Sequence, residues 1–96
     1  MKKDKNYIIK TDGSVVETEP ADGKMFTLGE LQAIVGGYIE IIYLNDESLM
    51  VLNEDGKFQR LNHNQKATEI AHRHNAIFAS DFIVGDVAII NSNQID

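Results

Sequence analysis

Glu40 and Glu54 are the residues whose types and positions offer the clearest chemistry in this sequence. Glu40 lies within an apolar segment that predicts a strand, and Glu54 lies in the polar turn after the next apolar segment. If the two side chains meet, they form a carboxylate pair of the kind used in general acid–base catalysis, which requires that one of them be desolvated. This hypothesis of a small enzyme or small-ligand sensor predicts a pocket that contains both carboxylates and at least one raised pKa. The alternative, which we favour, is a cross-strand polar pair or a turn residue at the end of a sheet.

Other oxygen-bearing side chains are concentrated in two short segments, residues 53–56 and 81–86. Carboxylate and amide oxygens are calcium ligands, but neither segment has the ligand spacing of an EF-hand loop. Because Asn, Asp and Gly are also the usual residues of turns, turn formation accounts for them without a metal. We therefore predict no metal site and retain as candidate binding residues Glu40, Asn53, Glu54, Asn64, Asp81 and Asp86.

Two further patterns look like ligand sites but are better explained by architecture. Phosphate-binding glycines precede a helix, where backbone amides are free, whereas Gly36 and Gly37 follow a predicted helix. The amides that begin the second predicted helix, near Asn64, are a better candidate for an anion site, although we favour Asn64 as the cap of that helix.

His72 and His74 are two residues apart, so a regular helix directs them to different faces and they would not hold one metal ion. No cofactor is expected, and His74 is predicted to be a satisfied residue at the edge of the core.

The composition and charge of the chain limit the classes of function that are compatible with it. The chain has 96 residues, no cysteine and a formal net charge of −6, which excludes cysteine-based zinc sites and thiol catalysis. A duplex-binding protein normally presents a basic stripe, and only the start of this chain is basic, so direct nucleic-acid binding is not expected. Tyr38, Tyr43 and Phe58 could stack on single-stranded nucleic acid, but core packing is the favoured explanation.

No apolar run approaches the roughly 20 residues of a membrane helix, and the chain is predicted to be cytoplasmic, without a membrane partner.

The candidate residues must be positioned by helices and strands, and the best defined of these is a helix after Thr27. Thr27 and Glu30 have the spacing of a capping box, in which each side chain accepts a hydrogen bond from the other residue's backbone amide. Leucine and valine at positions 28, 31 and 35 predict one apolar stripe. Gly36 or Gly37 supplies the left-handed residue that ends the helix.

Strands are predicted on both sides of this helix. Residues 7–10 and 14–17 flank an Asp-Gly turn and predict a hairpin. Residues 38–44, 49–52 and 57–61 are joined by short turns and predict an antiparallel meander. Both faces of the first of these three strands are largely apolar, so it is predicted to be central in the sheet.

A second helix and a final strand complete the prediction. Asn64 is the expected N-cap of a helix at residues 65–74. Residues 87–90 form an unbroken apolar run, which is typical of a strand buried on both faces. Gly56 and Gly85 are expected to form turns or bulges.

These elements predict an α+β fold, with a mainly antiparallel sheet of five or six strands and two short helices packed on it. One face of the sheet is expected to be largely covered. The whole chain, residues 1–96, is predicted to be one domain. Residues 1–5 are expected to form a basic tail and residues 91–96 a frayed end.

The order of the turn residues and apolar residues is more specific than the composition. It runs through Leu31-Gln32, Val35-Gly36-Gly37-Tyr38-Ile39-Glu40, Asn53-Glu54-Asp55-Gly56-Lys57, Leu61, Asn64, Ala67-Thr68 and Asp81-Phe82-Ile83-Val84-Gly85-Asp86-Val87. This pattern resembles a family of small proteins of unknown function that occur in phages, plasmids and other mobile elements, and in bacteria that carry them. The likeness extends over most of the chain. It implies a mobile-element accessory protein and supplies no catalytic residue.

Three functions are compatible with the sequence. The favoured one is a non-enzymatic binding or regulatory module of mobile-element origin, whose partner is a host protein or a second copy of the chain bound through an edge strand. The second is an acidic mimic of nucleic acid, an antirestriction-like decoy, which predicts a row of carboxylates with phosphate-like spacing on one face. The third is the small enzyme or small-ligand sensor that uses Glu40 and Glu54.

Overall fold

The computed structural model describes residues 5–95, which form an α+β fold with a five-stranded antiparallel sheet and two helices, as predicted. The predicted tail residues 1–4, and residue 96, lie outside the described residues. A short 3-10 helix occupies residues 92–94, where the sequence predicts fraying. The main elements are β1 (Asn6–Ile9), β2 (Val15–Thr18), α1 (Leu28–Val35), β3 (Ile39–Tyr43), β4 (Ser48–Asn53), α2 (Gln65–Arg73) and β5 (Val87–Asn91).

Strand β5 is the middle strand of the sheet, whose order is β2-β1-β5-β4-β3 with every neighbouring pair antiparallel. All four residues of its apolar run, 87–90, are buried, which confirms the prediction of a strand covered on both faces. The prediction that β3 is central is wrong, because β3 has β4 as its sole strand neighbour among the described residues. The chain leaves β4 through α2 and returns as β5 on the other side of β4, so β3 stays at the edge.

The third strand of the predicted meander does not form. Residues 54–60 are a series of turns, in which Gln59 N–H donates to the Asp55 carbonyl at 2.8 Å and Leu61 N–H to the Gly56 carbonyl at 3.0 Å. The turn begins at Asn53, whose side-chain Oδ1 accepts the Asp55 amide at 2.8 Å. Such side-chain contacts are how Asn initiates turns, and here the turn continues instead of returning the chain to the sheet.

Helix α1 has the predicted boundaries and caps. The Glu30 amide donates to Thr27 Oγ1 at 3.2 Å and the Thr27 amide to Glu30 Oε1 at 3.0 Å, which is a complete capping box. Gly36 ends the helix with a left-handed φ of 80°, and its amide donates to the Gln32 carbonyl at 2.8 Å. The buried stripe is narrower than predicted, because Leu28 is exposed.

The two helices cover opposite faces of the sheet, so the expectation that one face would be largely covered is corrected. Alternate residues of β4 and β5 point to opposite sides, as the pleat requires. Their two sets of side chains enter separate cores. The core under α1 contains Phe26, Leu31, Val35, Leu49, Val51, Ala88 and Ile90. The core under α2 contains Tyr7, Ile9, Leu44, Met50, Leu52, Ala67, Ile70, Ala71, Ile83, Val87 and Ile89.

Helix α2 begins at the predicted cap. The Asn64 side chain accepts the Ala67 amide at 3.0 Å, and Ala67 and Ala71 are fully buried where the helix lies on the sheet. His74 follows the helix and is exposed, so its predicted place at the edge of the core is wrong. His72 is the half-buried histidine, and its Nε2 donates to the Asp81 carbonyl at 2.8 Å.

Candidate functional site

A cleft of about 120 Å³ lies on the α2 face of the sheet, beside the edge strand β3. It is bounded by β3, by the end of β4 with the turns that follow it, and by the segment between α2 and β5. We call it the acidic cleft, because it contains three carboxylates and one ammonium group. Its lining residues are Glu40, Ile42, Leu52, Asn53, Glu54, Lys57, Ile77, Asp81, Phe82, Ile83 and Val84.

Glu40 and Glu54 both line the acidic cleft, so the structure brings the two carboxylates of the opening hypothesis to one place. Glu40 is directly opposite Leu52 in the β3–β4 register. The Glu54 amide donates to the Tyr38 carbonyl at 2.9 Å, which continues the ladder one step beyond the strands. Both carboxylate side chains are exposed to solvent, whereas the cleft floor between the strands is apolar.

Asn53 lines the same cleft, but its polar atoms are used within the protein. The side chain is buried, and Nδ2 donates to the Val35 carbonyl at 3.2 Å and to Gln59 Oε1 at 3.3 Å. The Val35 carbonyl is at the C-terminal end of α1, where backbone acceptors lack helical donors. Asn53 therefore ties α1 to the turns at the mouth of the cleft, and its contacts indicate a positioning role.

Asp81 holds the ammonium group of Lys57. Lys57 Nζ donates to Asp81 Oδ1 and lies 4.5 Å from the centre of the Phe82 ring, so one cation contacts both a carboxylate and an aromatic face. The Lys57 hydrogen bond, followed by the one that the Phe82 amide donates, holds the pKa of Asp81 below its usual value of 3.8. This contact could not be predicted from local sequence patterns, because the two charged residues are 24 positions apart.

The Asp81→Asn variant is expected to be less stable than the wild type at pH 7, by less than about 1 kcal/mol because both charged groups are partly exposed. The folded-state pKa of Asp81 is lowered, so its stabilisation is complete above the unfolded-state pKa and is lost as the pH falls through the folded-state pKa. The difference between the two proteins should therefore shrink below about pH 4. Urea unfolding at pH 7, 5, 4 and 3 measures it, with Asp46→Asn, an exposed turn substitution, as the control. A difference that stays constant from pH 7 to pH 3 contradicts the assigned ion pair.

The remaining two candidate binding residues lie away from the acidic cleft. Asn64 is fully buried, and its side chain bonds three backbone groups, so its polar atoms are engaged within the protein. Asp86 Oδ1 accepts the Thr11 amide at 3.0 Å and so ties the β1–β2 turn to the start of β5. Asp86 lines a separate depression of about 280 Å³, which also includes Gly36 and Gly85.

Exposed aromatic residues directly follow, or are hydrogen-bonded to, residues that line the acidic cleft, and the prediction that Tyr38, Tyr43 and Phe58 pack in the core is wrong. Tyr38 is 69% exposed, Phe58 92% and Phe78 84%. Phe58 follows the cleft residue Lys57, Phe78 follows the cleft residue Ile77, and Tyr38 bonds the backbone of Glu54. We call Tyr38, Phe58, Phe78 and Phe82 the aromatic rim. Sequence reasoning missed Phe78 and Phe82, because the position of these residues beside the cleft, including the contact of Phe82 with Lys57, depends on the path of the chain after α2.

Another depression, formed by residues within the described range 5–95, contains none of the six candidate binding residues. This larger polar depression of about 450 Å³ is lined by Lys5, Asn6, Glu17, Thr18, Glu19, Pro20, Gly23 and Gln94. Within residues 5–95, no group of three histidine, aspartate or glutamate side chains is placed to hold a metal ion. In the same described part of the chain, no helix has the length and apolar character needed to cross a membrane.

Comparison with known proteins places the chain in one family. No curated protein and no solved structure matches it. The family model described as Domain of unknown function (DUF3846) matches residues 5–95, which includes every element of the fold and the whole acidic cleft. The chain therefore belongs to the DUF3846 family of domains of unknown function.

Proposed function

We propose that this protein is a small acidic binding module, an accessory protein of a phage, plasmid or other bacterial mobile element, that acts by binding a partner protein. The observation that carries the proposal is the aromatic rim. Phe82 is exposed and lines a cleft that also has apolar lining residues, and the exposed Phe58 and Phe78 each follow a residue that lines it. Grouped apolar side chains at the surface of a soluble protein are typical of interaction sites. Aromatic residues are also the ones enriched in the buried centres of protein interfaces.

The solvent exposure and the hydrogen bonds of the cleft residues support a binding function over acid–base catalysis. Glu40 and Glu54 are exposed to solvent, whereas a catalytic carboxyl group is usually desolvated so that its pKa moves toward the working pH. Asn53 and Asp81 have their polar atoms engaged by backbone groups and by Lys57.

The distribution of acidic residues supports protein binding over the nucleic-acid decoy. A decoy requires a row of carboxylates on one face. In the described chain, Asp12 lies in the turn between β1 and β2, at the same end of the antiparallel sheet as Glu54. Asp46 and Glu47 lie in the β3–β4 turn, at the opposite end. The acidic cleft also contains the cation of Lys57.

The double variant Phe58→Ser and Phe78→Ser tests the proposal. Both side chains are exposed, so their removal should leave the fold intact, as circular dichroism and thermal unfolding can verify. The wild type is immobilised and incubated with lysate of the bacterial host, and captured proteins are quantified by mass spectrometry. The partner captured by the wild type should be reduced at least tenfold with the double variant, since truncation of a hot-spot residue costs about 2 kcal/mol or more.

Leu28→Ser is the matched control, because Leu28 is an exposed apolar residue on α1, which covers the other face of the sheet. It should capture the partner as the wild type does. A partner retained equally by the double variant would contradict binding at the aromatic rim. A partner lost equally with Leu28→Ser would show that the loss reflects general surface hydrophobicity.

A further inference from the structure

We infer that the partner presents a basic extended segment, which adds a strand to the open edge of β3 and places a lysine or arginine side chain beside Glu40 and Glu54. This inference rests on the proposed function and specifies the chemistry of the partner. It combines three features of the same surface, namely the hydrogen-bonding groups of β3, the direction of its side chains and the charge of the acidic cleft.

The backbone of β3 has hydrogen-bonding groups free at its outer edge. The Tyr38 carbonyl accepts the Glu54 amide at 2.9 Å, and the Leu44 amide donates to the Ser48 carbonyl at 3.1 Å. Hydrogen-bonded pairs alternate along an antiparallel ladder, so the even-numbered residues of β3 bond to β4. The N–H and C=O groups of Ile39, Ile41 and Tyr43 therefore point away from β4, toward an edge at which no strand of the described chain pairs. Such an edge can receive a further strand.

The side chains of β3 connect this edge to the acidic cleft. Glu40 and Ile42 face the cleft, while Ile39 and Ile41 pack toward α1. A strand added antiparallel to β3 at the edge would form its hydrogen-bonded pairs at the odd-numbered residues, which leaves Glu40 in a non-hydrogen-bonded pair. Side chains in such pairs approach most closely, with Cβ atoms about 4.5–5.5 Å apart. The residue opposite Glu40 would thus lie next to its carboxylate and extend over the cleft.

The negative charge of the acidic cleft favours a basic residue at the partner position opposite Glu40. Asp81 already holds the Lys57 ammonium group, against the face of Phe82. Within residues 5–95, no basic side chain forms an ion pair with Glu40 or Glu54. A lysine or arginine from a partner would supply the cation, and its methylene groups could lie on the apolar floor formed by Ile42 and Leu52.

A second copy of the chain fits this edge less well than a basic segment does. Pairing two β3 strands would bring two chains of formal charge −6 together. It would also place their acidic clefts on the same face of the joint sheet, where like charges repel. Charge complementarity therefore favours a partner of the opposite sign.

Capped heptapeptides test the inference directly. The probe has the sequence Thr-Val-Thr-Lys-Thr-Val-Thr, and two analogues carry norleucine or glutamate in place of lysine. Titration of the isotope-labelled protein, followed by NMR, gives the Kd and identifies the perturbed amides. The lysine peptide should perturb the amides of Ile39, Ile41 and Tyr43 and slow their hydrogen exchange. The norleucine peptide should bind at least fivefold more weakly, and the glutamate peptide should not bind measurably.

Glu40→Gln should weaken binding of the lysine peptide about fivefold and leave binding of the norleucine peptide unchanged. Glu17→Gln is the matched control, because Glu17 is an exposed glutamate on the other edge strand, β2, and it should change neither Kd. Equal binding of the lysine and norleucine peptides, or perturbations that map away from β3, would overturn the inference. So would a dimer in which the Ile41 amide is protected without peptide. If host-protein capture depends on Phe58 and Phe78 while the peptides show no preference for charge, the basic-segment inference fails and the proposed function stands.

Discussion

Replacing Asn64 with alanine is expected to lower the free energy of unfolding by about 4 kcal/mol. Asn64 is fully buried, and its Nδ2 donates to the carbonyls of Ile9 and Gly85, each at 2.9 Å. Its Oδ1 accepts the Ala67 amide at 3.0 Å and so caps α2. One side chain thus joins β1, α2 and the loop before β5. Alanine would leave three buried backbone groups without this partner, and each such group costs about 1–3 kcal/mol. Urea unfolding at pH 7, followed by circular dichroism, measures the effect.

Two variants separate the cap from the buried bonds. Asn64→Ser retains an oxygen that can cap α2 but removes both Nδ2 donors, so it should recover only about 1 kcal/mol of the loss. Asn62→Ala is the control, because Asn62 is an exposed asparagine two residues away. It should stay within about 0.5 kcal/mol of the wild type. If Asn64→Ser were as stable as the wild type, capping alone would explain Asn64 and its contacts to Ile9 and Gly85 would be unimportant.

Helix α1 could be predicted in detail because all of its determinants are local. The capping residues Thr27 and Glu30, and the left-handed Gly36, act on backbone groups within four residues of themselves. The same reasoning applies to the cap of α2 and to the Asp-Gly hairpin between β1 and β2. The apolar run of β5 was also informative, because a strand of that composition needs cover on both faces.

The position of β3 in the sheet could not be predicted, because it depends on how distant strands pair. Apolar residues on both faces of a strand are compatible with a central place or with an edge that helices cover from each side. Here Ile39 and Ile41 pack toward α1 and Ile42 toward α2. The edge position of β3 results from the pairing of β5 with β4 and β1, and β5 lies more than thirty positions after the start of β4. Because this pairing involves residues outside β3, no pattern within β3 predicts it.

The positions of the candidate binding residues could be anticipated from the sequence only in part, for a related reason. Four of the six candidate binding residues line one cleft, because turn-rich segments at the end of a sheet collect polar side chains at one place. Asn53 and Asn64 illustrate the limit of this reasoning. A short amide side chain can bind a ligand or satisfy a buried backbone group with the same atoms, and only the fold shows that both residues do the latter. Phe58 illustrates the opposite error, since its apolar side chain predicted burial and it is exposed.

Gly85→Ala is expected to lower the free energy of unfolding by about 3 kcal/mol, for two physical reasons that add. Gly85 has a φ of +78°, a conformation that costs an L-residue about 1–2 kcal/mol. An added Cβ would also lie 2.8 Å from Leu61 Cδ1, and overpacking of this kind typically costs about 1–3 kcal/mol. Movement of the backbone to relieve the contact would disturb the Gly85 carbonyl that Asn64 binds. Urea unfolding at pH 7 again provides the measurement.

Two other glycines separate the conformational cost from the steric one. Gly13 has a φ of +91° with nothing within 4 Å of an added Cβ, so Gly13→Ala should cost only about 1–2 kcal/mol. Gly56 has no positive φ, but an added Cβ would lie 2.8 Å from Val84 Cγ2, so Gly56→Ala should show the steric cost alone. In the double variant with Leu61→Ala, the loss from Gly85→Ala should be smaller than in the wild-type background, because the contact is removed. Strict additivity of the two substitutions would mean that Gly85 is required for its backbone conformation and that its close approach to Leu61 has no effect on stability.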